Sequence, residues 1–172
     1  MAIRTILHYP DKRLRNKAEL VREVTPEVRA LVDDMAETMY AAPGVGLAAP
    51  QVGVSLRIFV IDVAPSDAPS DLRVFINPEI LVRTGVTTWE EGCLSFPGVH
   101  EEIERAESVT VRAMGLDGKT FELSAEGLLA IAIQHENDHL DGMLMIDHVS
   151  LLKRRMMDRE MRKRHASQQA RV

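Results

Sequence analysis

The segment from Leu128 to His139 constrains the fold more than any other part of the chain. Residues 128–133 are all Leu, Ile or Ala, and they run directly into Gln134-His135-Glu136-Asn137-Asp138-His139. So apolar a run is unsuited to a surface helix, while Ser124 is the expected N-cap and Gly142 the expected helix stop. The sequence therefore predicts a buried helix with polar side chains, around which the other elements must pack.

Two histidines lie four residues apart in this predicted helix, and a carboxylate follows the first. His135 and His139 would share one face of the helix, so both imidazoles can bind one metal ion while Glu136 projects toward an open coordination position. This arrangement is typical of hydrolases. The alternative is a pair of core histidines whose spacing arose by chance.

A tetrahedral metal site that keeps one position open needs a third protein ligand. The downstream candidates Asp141, Asp147 and His148 lack the further Glu or His motif expected of a zinc protease. Cys93, the only cysteine in the chain, is the better candidate, because residues 90–98 are too rich in Gly, Ser and Pro for a simple core strand. The alternative for a lone cysteine is a small buried hydrophobe.

A third segment points to the same site. Residues 44–51 read GVGLAAPQ and combine two glycines, which permit close backbone approach, with the hydrogen-bonding amide of Gln51. Together with residues 91–95 (EGCLS) and 134–139 (QHENDH), this segment closely resembles the three signature motifs of peptide deformylases. The motifs stand in that family's order and at similar spacing, none of them is broken, and the resemblance extends over residues 3–163.

The resemblance implies a set of metal ligands. They are Cys93, His135 and His139, with water completing the tetrahedron. The family's usual physiological ion is Fe²⁺, one per chain, and Ni²⁺, Co²⁺ or Zn²⁺ can replace it. The ligand types alone do not select the metal, because one thiolate and two imidazoles suit zinc equally well.

The resemblance also implies a reaction: hydrolysis of the N-formyl group of formylmethionine at the start of nascent polypeptides, with release of formate. A metal lowers the pKa of its bound water, which would attack the formyl carbon while Glu136 acts as general base and then acid. The Gln51 amide and the Leu94 N–H would stabilise the oxyanion. The alternative, without the motifs, is a surface glutamine and an ordinary loop amide. The predicted substrate-binding residues are Gly44, Val45, Gly46, Trp89, Glu91, Leu128, Ile131 and Ala132.

Several other charged groups have weaker assignments. Glu91 and Asp138 could hold the metal ligands in place with Arg105 as a cationic partner, or all three could be solvated surface charges. The remaining histidines are predicted not to bind the metal; they are His8, His100, His148 and His165.

Composition indicates one compact domain over residues 1–172, with 45% hydrophobic and 27% charged residues. The sequence has no apolar run of about 18 residues and no basic-then-apolar amino terminus, so we expect neither a membrane span nor export. One cysteine excludes an internal disulfide and fits a reducing compartment. We expect a cytoplasmic monomer.

Apolar periodicity predicts an α+β fold, with antiparallel or mixed β-sheets around the buried metal-binding helix. An N-terminal helix should begin at Thr25-Pro26-Glu27 and end near Pro43, and a C-terminal helix should run from Leu151, capped by Ser150, to about His165. Residues 64–71 are predicted to form a loop. Strands are predicted at residues 56–63, 72–77, 81–89, 109–116 and 120–123, the last two joined by a turn at Asp117-Gly118.

The carboxy-terminal segment is basic. Residues 148–172 contain eight Lys or Arg and two acids, whereas residues 1–147 contain thirteen and twenty-four. This asymmetry favours a contact with a polyanion, although a solvated helix face is the alternative. The resemblance implies docking near the ribosomal exit tunnel, with ribosomal RNA as the anion.

Two other functions fit parts of the sequence. A zinc peptidase could use the same helix, but it would leave Cys93 and Gln51 without a role. A non-catalytic ribosome- or RNA-binding module could hold a structural metal, but such a site would be closed by four protein ligands and would not need Glu136 beside an open position.

Overall fold

The structure, a computed structural model, describes residues 2–170; Arg171, which belongs to the predicted basic segment, lies outside the described residues. The helices and strands in chain order are α1 (Pro26–Ala41), β1 (Gly46–Ala48), β2 (Ile58–Ile61), β3 (Arg73–Thr84), β4 (Thr87–Cys93), β5 (Phe96–Arg105), β6 (Ser108–Met114), β7 (Thr120–Glu126), α2 (Gly127–Leu140) and α3 (Leu151–Ala170). Short 3₁₀ turns cover Lys12–Arg15, Ala49–Val52 and Met145–His148. The predicted α+β class is therefore confirmed.

A five-stranded antiparallel sheet lies between α1 and α2. Its strand order is β1-β2-β3-β6-β7, and β4 and β5 form a separate antiparallel pair. Alternate residues of β2 point to opposite faces: Phe59 and Ile61 pack in the cluster with α2, whereas Ile58 and Val60 pack in the cluster with α1. All four are fully buried, which explains why this strand is continuously apolar.

Both ends of α2 depend on local backbone geometry. The prediction that Ser124 caps this helix is wrong, because the β6–β7 ladder continues through Glu126 and the Ser124 hydroxyl lies 3.2 Å from the Thr110 hydroxyl. The helix begins instead at Gly127, with a φ of 63°, and the predicted stop at Gly142 is confirmed by a φ of 72° just beyond Leu140.

The prediction of one strand over residues 81–89 is also wrong. Residues 81–84 complete β3, the chain reverses at Gly85, which has a φ of 71°, and residues 87–89 begin β4. Because glycine adopts this φ without a steric penalty, it marks the turn. β5 and the short β1 were not predicted, and β2 is shorter at both ends than the predicted residues 56–63.

The outer helices follow the predicted caps. Thr25 Oγ1 accepts from the Val28 N–H at 3.2 Å at the start of α1, and Ser150 Oγ accepts from the Lys153 N–H at 3.3 Å at the start of α3. α3 continues to Ala170, beyond the predicted end at His165. Within residues 2–170, none of the helices combines the length and apolar character that crossing a bilayer requires.

Candidate metal centre and cleft

Three metal-binding side chains converge where α2 meets the end of β4. The imidazoles of His135 and His139 lie one helical turn apart, with ring centroids separated by 5.1 Å. Cys93 ends β4, and its Sγ lies 3.4 Å from His139 Nε2. A metal with one thiolate and one imidazole ligand at tetrahedral angles would hold those two atoms about 3.5 Å apart, so the spacing fits a bound metal.

The potential ligand atoms of these three residues all lie within 4.8 Å of one another. Among the residues that the structure describes, this is the one group of three or more His, Cys, Asp or Glu side chains with such geometry. The predicted ligands Cys93, His135 and His139 are therefore brought together. The downstream acids that were considered as alternatives, Asp141 and Asp147, pair with Arg57 and Arg15 instead.

Glu91 fixes the orientation of His135. Its Oε1 lies 2.9 Å from His135 Nδ1, so the ring presents Nε2 to the other two donors. Arg105 binds the same carboxylate with two hydrogen bonds, of 2.8 and 2.9 Å. Burial raises the pKa of Glu91, but the hydrogen bonds from Arg105 and His135 outweigh burial and lower it to about 2. Glu91 thus remains ionised against its two partners.

The ion-pair chain continues beyond Arg105. A third hydrogen bond of Arg105 reaches Asp138 at 2.6 Å, and Asp138 in turn lies 2.7 Å from His148 Nε2. The Arg105 side chain is only 4% exposed, so a solvated surface role is excluded for it and for its partner Glu91. Glu91 lines the cleft, but both of its oxygens are bound, which suits it to holding His135 rather than to contacting a substrate.

His139 is held differently. Its Nδ1 is buried and has no hydrogen-bond partner among the described residues, unlike Nδ1 of His135. Burial lowers the pKa of His139 to about 3. The ring is therefore neutral at pH 7, which is the form that binds a metal.

Glu136 faces the same space from the next position along α2. The residue is 4% exposed, its Oε1 has no hydrogen-bond partner among the described residues, and burial raises its pKa to about 7. Gly46 of β1 permits this placement, because a Cβ atom there would lie 2.5 Å from Glu136 Oε2. A buried carboxyl that titrates near neutrality is suited to proton transfer.

Gln51 directs an amide N–H₂ group at the donor cluster. Its Oε1 accepts from the Ala48 N–H at 2.9 Å, which fixes the amide so that Nε2 donates to Ser95 Oγ at 3.1 Å and lies 3.7 Å from Cys93 Sγ. Ser95, which was not predicted as a site residue, is fully buried and positions this amide. Its place two residues after the lone cysteine was the available signal.

A cleft of about 640 Å³ opens onto these groups. Trp89 lies at its rim with 41% of its surface exposed, and the Leu94 side chain packs against Gly44, where a Cβ atom would lie 2.8 Å from Leu94 Cδ1. Wall residues that the sequence did not predict include His8, Pro97 and His100. The cleft is lined by every predicted substrate-binding residue, namely Gly44, Val45, Gly46, Trp89, Glu91, Leu128, Ile131 and Ala132.

Comparisons with known proteins agree with this geometry. The sequence matches the family model described as polypeptide deformylase over residues 3–155. It is 56% identical to a peptide deformylase of Afipia carboxidovorans over 164 residues, which cover 95% of this chain and 94% of that protein. It is 54% identical to peptide deformylase 1 of Burkholderia multivorans over 164 residues, which cover 95% of this chain and 90% of that protein.

Solved structures give the same result. A peptide deformylase from Legionella pneumophila superposes with a TM-score of 0.90 at 48% identity, covering 99% of each chain. A peptide deformylase from Ehrlichia chaffeensis in complex with actinonin superposes with a TM-score of 0.91 at 37% identity, covering 95% of this chain and 98% of that one.

Proposed function

Because this chain belongs to the peptide deformylase family of enzymes, we propose that it removes the formyl group from the N-terminal formylmethionine of nascent polypeptides and releases formate. The observation that supports this proposal most strongly is the group of Cys93, His135 and His139 with Glu136 buried beside it. Three protein donors leave one position of a tetrahedral metal open, which is the arrangement of a catalytic rather than a structural site.

The metal would be held by the Cys93 thiolate and the two imidazoles, and we propose Fe²⁺ as the physiological ion, with Ni²⁺, Co²⁺ or Zn²⁺ as substitutes. When bound, such an ion supplies a nucleophile at neutral pH by lowering the pKa of water, and it polarises the carbonyl oxygen. Glu91 supports His135 as a ligand, since a carboxylate on the far nitrogen fixes the ring and increases its basicity.

Glu136 would move the protons. Its ionised form accepts a proton during attack on the formyl carbon, and its neutral form then donates that proton to the leaving amine. The Gln51 amide, fixed by Ala48 and Ser95, and the Leu94 N–H would donate hydrogen bonds to the developing oxyanion. Each such donor contributes about 3 to 4 kcal/mol at other acyl-transfer sites.

The substrate would bind with its methionine side chain against the apolar part of the cleft, which Val45, Leu128 and Ile131 help to line. β1 is an edge strand of the five-stranded sheet, so an extended peptide backbone can pair with the chain near Gly44 and Gly46. The Ehrlichia chaffeensis relative binds actinonin, and we expect actinonin to occupy the same cleft here.

One assay tests the proposal. Protein purified without oxygen, with its metal content measured, should release formate from a formyl-Met tripeptide and should not cleave the unformylated tripeptide. Metal-loaded protein that releases no formate would contradict a deformylase. Cleavage of the unformylated peptide would favour the zinc peptidase alternative, and metal binding without hydrolysis of either peptide would favour the RNA-binding module.

We also propose that the enzyme is a cytoplasmic monomer that docks on the ribosome through α3. Arg155 and Arg159 are exposed on this helix, whereas Arg162 pairs with Asp158 within it at 2.9 Å. Contacts to ribosomal RNA phosphates would release counterions, so binding should weaken as salt rises from about 50 to 200 mM.

The docking proposal can be separated from catalysis. Reversing both Arg155 and Arg159 to Glu should weaken co-sedimentation with ribosomes and leave tripeptide hydrolysis nearly unchanged, because the proposed catalytic groups lie upstream of Gly142. Reversing Lys17 and Lys119, which are exposed elsewhere, gives the same change of charge and should not affect co-sedimentation. Equal losses of co-sedimentation in both double variants, or no loss in the α3 variant, would mean that α3 is a solvated basic face.

A further inference from the structure

A second crevice, of about 280 Å³, lies between α3 and the rim of the cleft. His8 and Pro97 line both cavities, so the crevice and the cleft share a wall formed by these two residues. We call this cavity the α3 crevice. Its lining residues are His8, Tyr9, Pro97, Met161, Arg164, His165, Ser167 and Gln168.

The walls of the α3 crevice are held by specific contacts. Arg164 Nη1 donates to the Pro97 carbonyl, and Gly98 leaves room for this guanidinium, because a Cβ atom there would lie 2.6 Å from Arg164 Nη1. Met161 anchors α3 with 2% exposure, and Tyr9 stacks on Phe96 with ring centroids 5.0 Å apart. The helix is therefore fixed against the first residues of β5, which also form the cleft rim.

The charge of the α3 crevice differs from that of the cleft. Among the described residues that line the crevice, none is acidic, whereas Glu90, Glu91 and Glu136 line the cleft. Arg164 carries a permanent positive charge, which Glu160 on the same helix offsets in part through a bond of 3.0 Å. Two imidazoles, those of His8 and His165, also line the crevice. An acidic or uncharged polar occupant therefore fits it better than a basic one.

We propose that the α3 crevice is an extended subsite that binds the part of the polypeptide substrate beyond the cleft and that it favours an acidic side chain there. This inference rests on the proposed deformylase function. A substrate whose formyl group lies at the donor cluster must continue out of the cleft, and an extended chain advances about 3.3 Å per residue. A chain that passes the shared wall at His8 and Pro97 would reach Arg164, and Ser167 and Gln168, which line the same crevice, would be available to hydrogen-bond its backbone.

The test compares formyl-Met peptides that differ only beyond the third residue. Heptapeptides with Glu or with Lys at positions 4 to 6 should differ in KM, and not in kcat, by about two- to fivefold in favour of Glu, the range expected for exposed ion pairs. The difference should shrink as ionic strength rises. Equal KM values for the two heptapeptides at low salt would overturn the proposal.

Two variants locate the effect. Gln168→Glu adds a negative charge at an exposed position with little change of shape, so it should reduce or reverse the preference for Glu peptides, and Arg164→Gln should abolish it. Lys119→Gln, at an exposed position in the β6–β7 connection, removes one positive charge and should leave the preference unchanged. A preference that persists in both α3 variants, or that disappears in the Lys119 variant, would contradict binding at the α3 crevice.

The outcome for the formyl-Met tripeptide separates this proposal from the one on which it rests. No formate from the tripeptide would mean that the proposed function itself is wrong. Normal tripeptide hydrolysis combined with heptapeptides that show no charge preference would reject the extended subsite alone.

Discussion

The helices α2 and α3 show two ways in which a helix can serve a site. α2 is buried along nearly its whole length, and the polar side chains of its second half contact groups on other elements, as Gln134 and Asp138 do, or line the cleft, as Glu136 does. α3 is mostly exposed and is attached through the buried Met157 and Met161 and through polar contacts such as Tyr9–Asp158. A buried polar group needs a hydrogen-bond partner, whereas an exposed one does not. We therefore expect the chemistry to depend on α2 and the binding of other molecules to depend on α3.

The largest effect should come from removing the cysteine that faces α2. Cys93→Ala takes away one of three protein donors, so purified protein should contain no bound metal and release no formate. Metal analysis and the tripeptide assay check this. Cys93 is partly buried, so Cys93→Ser, which keeps its size, shows whether any loss comes from packing. Full metal occupancy and activity in the Ala variant would show that the proposed ligand set is wrong.

Gly46→Ala should reduce turnover by about a hundredfold while metal is retained. The new Cβ would lie 2.5 Å from Glu136 Oε2, so the carboxylate must move by about 1 Å, and a displacement of that size costs about this much. Gly115→Ala is the matched control, since a Cβ there meets only the Asp117 side chain at 3.1 Å. Similar turnover in both variants would mean that Gly46 does not position Glu136.

Glu91→Gln should weaken metal binding by about 10- to 100-fold, because His135 loses an ionised partner on Nδ1. The buried Arg105 also loses its bidentate partner, so thermal stability should fall as well. Competition with a chelator measures the affinity. Glu90→Gln changes an adjacent but exposed carboxylate, and an equal effect there would exclude a specific role for the Glu91 contacts.

The smallest effect should come from the polar attachment of α3. Hydrogen bonds from Tyr9 and Arg162 hold the pKa of Asp158 below its ordinary value of 3.8. A lowered pKa in the folded state adds stability above pH 3.8 that is lost as the pH falls further. The Asp158→Asn variant should therefore show a slightly shallower decline of unfolding free energy between pH 5 and pH 3 than the wild type, measured by urea titration. An identical decline would contradict this contribution.

The structure brings the predicted site residues together, whereas several predicted strand bounds around them are wrong. The histidine spacing and the glycine-rich segment carry their chemistry in residue types, and the family resemblance that they support named the candidate donors, Glu136 and the candidate cleft residues. The break at Gly85 and the start of α2 at Gly127 could not be predicted, because both depend on which strand pairs with which: the ladder to Glu126 overrides the cap expected at Ser124. β5 was hidden because its first residues, near Pro97 and Gly98, are typical of a loop.

The ion-pair chain was only partly predictable for a similar reason. Glu91, Arg105 and Asp138 were recognised as possible partners of the ligands, but their burial follows from the pairing of β4 with β5 and from the packing of that pair near α2. The contact between Arg164 and Pro97, which joins residues far apart in sequence, carried no sequence signal at all.

In the mechanism proposed here, α2 supplies two of the three metal ligands and also the proton-transfer group, and the turnover of Glu136→Gln at equal metal occupancy tests this most directly. This substitution keeps size and polarity and removes no ligand. We expect metal content equal to that of the wild type and at least about a hundredfold less formate released per bound metal. Near-normal formate release by the metal-replete variant would contradict this mechanism.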